Sequence, residues 1–116
     1  MAQLYTNNAV STLVSSISDT ALSLTIQSGN GALFPNPTGG DYFLVTLYTL
    51  SAGVESNHEI VKVTARSSDV FTIVRAQEST TARSWSAGTP VELRLTAGSI
   101  LGLQSGFDQT FLLMGA

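Results

Sequence analysis

The sequence predicts an all-β domain, a sandwich or small barrel of about six strands, with an irregular Pro/Gly loop and a short C-terminal helix. Three observations lead there. Apolar and polar residues alternate at period two over most of the chain, as in Leu22, Leu24 and Ile26 against Ser23, Thr25 and Gln27. Clusters rich in Gly, Pro, Asn, Asp and Ser interrupt that pattern at short intervals. The 116 residues carry no internal repeat and no linker, which fits a single β-domain over 1–116.

The elements follow in order. Residues 1–9 read as an extended N-terminal arm. Val10 to Ile17 is a strand with Val10, Thr12 and Val14 on one parity and Leu13 and Ile17 on the other. Ser18-Asp19-Thr20 connects it to the alternating strand at Leu22–Gln27, and the two are expected to form a hairpin. Ser28 to Gly40 holds Pro35 and Pro37 among four glycines, which excludes a regular interior element. Leu33 and Phe34 are expected to tuck beneath it as a plug.

Asp41 to Leu50 is apolar on both parities: Phe43, Val45 and Leu47 on one, Tyr42, Leu44 and Tyr48 on the other. That predicts a central strand covered on each side. Ser51 to Asn57, around Gly53, reads as a turn. Glu59 to Arg66 follows as a strand with Val61, Val63 and Ala65 inward. Ser67-Ser68-Asp69 turns the chain, and Val70 to Arg75 returns as the second arm of a hairpin.

Gln77 to Thr89 has no period. Trp85, the single Trp, is assigned as a core anchor, because a large aromatic carries much of a small core. Pro90 opens a strand running Val91 to Leu95, a position where Pro is permitted. Thr96 caps a short helix expected from Ala97 towards Gln104. Residues 105–116 form an apolar C-terminal tail.

Composition narrows function. Five basic and eight acidic residues make 11% of the chain, against about 25% in ordinary soluble domains. Ser and Thr supply about a quarter of the residues instead. So little charge points to a surface that faces other protein. The net charge of −3, with Lys62, Arg66, Arg75, Arg83 and Arg94 scattered among acids, argues against a nucleic-acid partner. No basic stretch leads into an apolar run at the N-terminus. The longest apolar runs fall far short of about 20 residues, so a membrane partner is not expected.

Catalytic constellations are not visible. There is no Cys, and His58 is the only His, so a zinc site lacks its ligands. His58 and Glu59, as strand neighbours, point to opposite faces and cannot orient each other. Gly29-Asn30-Gly31 runs into Leu33-Phe34-Pro35, not into the helix a phosphate loop needs. Glu59 lies three residues from Lys62, and Glu78 three from Arg75, which reads as solvated charge pairing. A non-enzymatic protein without cofactors is expected.

One run of segments is more specific. GALFPNPTGGDYF spans 31–43, EIVKVTARS 59–67, DVFTIVRAQESTTARSW 69–85 and AGTPVELRLTAGSI 87–100. In order and spacing they resemble a small β-module of structural proteins of tailed bacteriophages, often found where tail fibres begin. The resemblance extends over almost the whole chain. It implies a virion structural protein, assembled in the bacterial cytoplasm. Because the sequence ends shortly after the matched segments, without a shaft or receptor-binding tip, a capsid decoration or cement protein bridging neighbouring subunits is expected. A tail-fibre attachment or collar module is the alternative.

Partners are then other virion proteins: the major capsid protein, or tail and neck proteins. Repeated parts are expected to close symmetrically, here as a homotrimer. The interface candidates are Leu4 and Tyr5 in the arm, and Phe107, Phe111, Leu112, Leu113 and Met114 in the tail. A further alternative, a carbohydrate-binding module, would use Tyr42, Tyr48 and Trp85 as a stacking face.

Overall fold

The computed structural model describes residues 3–94 and 96. The fold is all-β: one antiparallel sheet of six strands, curled into a half-barrel. Its strands are β1 (Val10–Thr12), β2 (Ser23–Thr25), β3 (Phe43–Ser51), β4 (Val54–Ser67), β5 (Val70–Gln77) and β6 (Pro90–Glu92). Their order across the sheet is β1-β6-β3-β4-β5-β2. A 3-10 turn at Asn30–Leu33 sits between β2 and β3.

The centre is the β3-β4-β5 meander, whose strands are long because its two connections are minimal. Ser51 pairs with Val54 across Ala52-Gly53. Both of these loop residues have positive φ, 51° and 79°, the shape of a type I′ turn that matches strand twist. The expected Ser51–Asn57 turn is thus only these two residues. The chain re-enters the ladder at once, and β4 begins at Val54, because Gly53 takes the left-handed conformation without a Cβ penalty. Ser67 pairs with Val70 across Ser68-Asp69, with Ser68 at φ 57°.

The concave face is the core. Phe43, Val45 and Leu47 of β3 meet Val61 and Val63 of β4, Phe71 and Ile73 of β5, and Val91 of β6. Phe34, Phe43 and Phe71 form a ring cluster with centroids 5.1–5.9 Å apart, and each such pair adds about 0.5–1.5 kcal/mol beyond its buried area. On the other face of β3, Leu44, Thr46 and Tyr48 are also buried. The central strand is therefore covered on both sides, as its doubly apolar pattern requires.

β1 and β2 do not form the expected hairpin. β1 pairs with β6, and β2 pairs with β5, at opposite ends of the sheet. Curling brings the two ends near each other, where a single bridge joins Leu13 to Ile26 and the Val14 N–H donates to the Thr25 carbonyl at 3.0 Å. The parity of Leu13 decides this: Leu13 is buried while Val10 and Val14 face solvent.

Other local expectations shift for similar reasons. Ala65 is exposed because the β4–β5 register slips between Val63 and Ala65. Of the plug pair, Phe34 is buried and Leu33 is not; Leu22 is exposed as well. β6 stops at Glu92, short of Leu95, and pairs with β3 only at Thr46 and Leu47. From Gln3 onward the N-terminal segment lies on its own domain. The Leu4 N–H donates to the Tyr42 carbonyl at 2.7 Å, and Ala9 is in the core. The expected helix from Ala97 and the tail at 105–116 lie outside the described residues.

The Pro/Gly loop is pinned by one carboxylate. Asp69 accepts from the Gly31 N–H at 2.8 Å and the Gly29 N–H at 3.1 Å. That draws Gly31 so close to the β4–β5 turn that a Cβ there would stand 2.0 Å from the Ser68 carbonyl oxygen. Gly31→Ala is expected to lower unfolding free energy by about 1–3 kcal/mol, the usual cost of overpacking, in urea denaturation. Unchanged stability would show that the loop is not held against the turn.

Candidate interaction surface

The chemistry of the chain concentrates at two clusters and one groove. The first cluster is buried. Glu59 of β4 shares parity with Val61 and Val63 and is fully inaccessible. Arg75 of β5 shares parity with Phe71 and Ile73 and reaches it from the neighbouring strand. Arg75 Nε donates to Glu59 Oε2 and Nη2 to Oε1, both at 2.9 Å, a two-pronged pair. The same carboxylate accepts the Trp85 indole N–H at 2.8 Å, the Arg83 N–H at 3.0 Å and the Ala76 N–H at 3.1 Å. The Arg75 guanidinium also donates to the carbonyls of Ser18, Ala21 and Arg83, so all five of its N–H groups are used.

This node ties together β4, β5, the 18–21 connection and the 83–85 segment. The expectation of a solvated Glu59–Lys62 pair is therefore corrected. Inward parity places Glu59 in the core, where only a complete set of donors makes a charge tolerable. Glu78 likewise does not join Arg75; it accepts from the Thr96 hydroxyl. The local backbone conforms to the node. The β4–β5 ladder slips between Ile60 and Lys62, and Ala76 takes φ 54° with its N–H aimed at Glu59. Glu78 and Ser79, at φ 52° and 66°, turn the chain out of β5 towards Trp85.

Burial pushes the Glu59 carboxyl up, but the bonds from Arg75, Trp85, Arg83 and Ala76 outweigh it and hold the group below its ordinary 4.5. A depressed folded value means that its stabilisation is complete above the unfolded value and is lost as pH falls through the folded one.

The second cluster lies on the outer face of β3, β4 and β6. Arg94 makes a two-pronged pair with Glu55, both bonds at 2.9 Å, and its Nε donates to Glu92. Its guanidinium carbon stands 4.6 Å from the Tyr48 ring centre, and the His58 ring stacks on Tyr48 at 5.9 Å. Tyr48 donates its hydroxyl to Glu92, and that bond, then burial, raises the phenol above its usual value. His58 bonds Glu55 at 3.1 Å. Hydrogen bonds from Arg94 and His58 hold Glu55 at about 2. The cluster sets the Glu55 and Glu92 carboxylates around the one Arg94 guanidinium, with the His58 ring on Glu55.

The sequence-predicted residues separate. Trp85 is buried, with its backbone bridged to Ile17 and its indole N–H on Glu59. Tyr42 lies beneath the Lys62 ammonium at 4.9 Å, and Tyr48 lies beneath Arg94. The three rings therefore do not make an open stacking face. Leu4 packs half-buried on the core, and Tyr5 is exposed. Phe107, Phe111, Leu112, Leu113 and Met114 lie outside the described residues. His58, near the surface, has no nucleophile among its bonded partners. Among the described residues no three His, Cys, Asp or Glu side chains gather as metal ligands.

Beside Tyr48 an open groove of about 640 Å³ separates the end of the β3–β4 hairpin from residues 83–90. No protein-family model matches the chain, and neither does any curated protein.

Glu59→Gln keeps the shape of the side chain but leaves Arg75 buried and uncompensated. It is expected to cost about 3–5 kcal/mol in urea denaturation. The wild-type melting temperature is expected to fall as pH drops below 4.5, where Glu59 begins to gain a proton on unfolding. The variant should show a shallower acid limb. Parallel limbs would mean that Glu59 is not the titrating support.

Proposed function

We propose that the chain is a non-enzymatic structural part of a tailed-bacteriophage particle, and specifically a decoration protein that bridges neighbouring capsid subunits. The observation that carries this reading is the ordered run of segments between Gly31 and Ile100. Its likeness is to phage structural modules. The physical character of the domain supports it. Glu59 and Arg75 answer each other in one cluster, and Glu55 and Glu92 answer Arg94 in another, and Ser and Thr make up about a quarter of the sequence. Single apolar side chains such as Leu22, Leu50 and Val54 stand exposed. A stiff, weakly charged brick of this kind adds area at joints between subunits without strong fields that attract other partners.

The described side chains assemble no nucleophile, base and orienting group in one place, and the reading needs none.

Immunogold labelling of intact parent virions tests the proposal. Gold spread over the head is expected. Gold confined to the tail or neck would replace decoration with fibre attachment. Protein found only in the infected-cell lysate, with unlabelled particles, would overturn the virion reading.

A further inference from the structure

The β3–β4 hairpin outruns its neighbours. β3 continues to Ser51, but its pairing with β6 ends at Leu47, opposite Val91. Among the described residues none pairs with β3 on that side beyond Leu47, which leaves the edge at Thr49–Ser51. In a two-residue hairpin the residues flanking the turn, here Ser51 and Val54, exchange hydrogen bonds, and the alternate residues face away. Leu50 therefore presents its N–H and C=O to the β6 side, where no described residue pairs with them. The Leu50 side chain is 54% exposed. The groove lies beside this edge.

The far wall of the groove supplies the rest of a recognition site. Among the described residues Arg83 is the only charged one that lines it, with Ser84, Ser86 and Thr89 beside it. The backbone of Arg83 is fixed on both sides, its N–H on Glu59 and its C=O on Arg75. Among the described residues its guanidinium makes no hydrogen bond or ion pair. It contrasts with Arg75 and Arg94, each of which is paired with a carboxylate. A positively charged, hydroxyl-lined groove with a free strand edge along one wall matches an extended acidic peptide. The strand edge supplies main-chain pairing and the side-chain positions supply specificity. A glycan would use neither the ladder edge nor Leu50, and Trp85 is too buried to stack on a sugar.

We propose that this groove docks an extended segment of a neighbouring protein, which adds a strand to β3 in line with β6 and sets an Asp or Glu against Arg83. The identity of that neighbour as a virion protein rests on the function proposed above; the groove itself does not.

The test is a displayed library of short random peptides selected on the purified full chain, followed by amide NMR with the selected peptides. Selected sequences are expected to share one acidic position within an alternating apolar pattern. They should shift the Leu50 amide and protect it from exchange. Replacing their acidic residue by its amide should weaken binding about threefold, the scale of an exposed ion pair, and Arg83→Gln should erase that difference. Leu50→Pro, which removes the edge N–H at an unpaired position, should abolish binding while leaving the core amide spectrum unchanged. No enrichment, or peptides that bind both variants as well as wild type, would overturn the proposal. So would an acidic oligosaccharide that shifts Tyr48 and Arg83 where peptides do not. Peptide binding by a protein missing from virions would retain the groove and remove only the virion identity of its partner.

Discussion

A single buried carboxylate organises this domain. Glu59 collects five hydrogen bonds, from Arg75, Trp85, Arg83 and Ala76. The chain from Glu78 to Thr89 has no strand of its own, yet it must carry the backbone from β5 across the meander to β6. A segment without a ladder normally strands its polar groups or exposes them. Here Glu59 and Arg75 accept and donate in place of a neighbouring strand. Desolvating two charges is expensive, and an apolar core of similar shape is often no less stable. What the pair provides is direction: five donors and two carboxylate oxygens have one mutual arrangement, and it fixes where Trp85 enters the core.

That arrangement has consequences at the surface. Anchoring Trp85 beside Ile17 sets the 83–90 segment at a distance from the hairpin, and the groove is the space between them. The minimal Ala52-Gly53 turn lets β3 and β4 extend beyond β6. The hairpin end is thus exposed on account of its own efficient closure. The Tyr48–Glu55–His58–Glu92–Arg94 cluster lies on the same ribbon, with both of its carboxylates bonded to Arg94. Core chemistry and surface availability are linked in this sense: the Glu59–Arg75 tie that fixes Trp85 also fixes the backbone of Arg83 on the wall of the groove.

Much of the fold could be read from period two alone. The double apolar parity of Asp41–Leu50 located the central strand, and Glu59–Arg75 gave the hairpin and its turn. What escaped had physical reasons. Short edge strands such as β1 and β2 carry too few residues to declare their partners, and the curl that brings Leu13 to Ile26 is a property of the whole sheet. The register slip between Val63 and Ala65 places an extra residue on β4 and reverses its parity there, which puts Ala65 outside. The buried node was legible in part. Glu59 continues the inward series of Val61 and Val63, and Arg75 that of Phe71 and Ile73, so two opposite charges on adjacent inward positions signal a buried pair. Sequence spacing to Lys62 pointed elsewhere because it measures neighbours along a strand, and contacts in a sheet form across strands. The groove left no such trace, since its walls come from segments far apart in the sequence, Tyr48 and Ser84 among them.

Native-state hydrogen exchange of the Ala76 and Arg83 amides addresses the organising role of Glu59 most directly. Ala76 sits at a bulge and Arg83 in an irregular segment, places where amides ordinarily exchange fast. If Glu59 holds them, both are expected to be protected to the level of the Val61 and Val63 amides at neutral pH. They should lose that protection together as acid protonates the carboxylate. Fast exchange at neutral pH, or loss of protection at different pH values, would contradict the account.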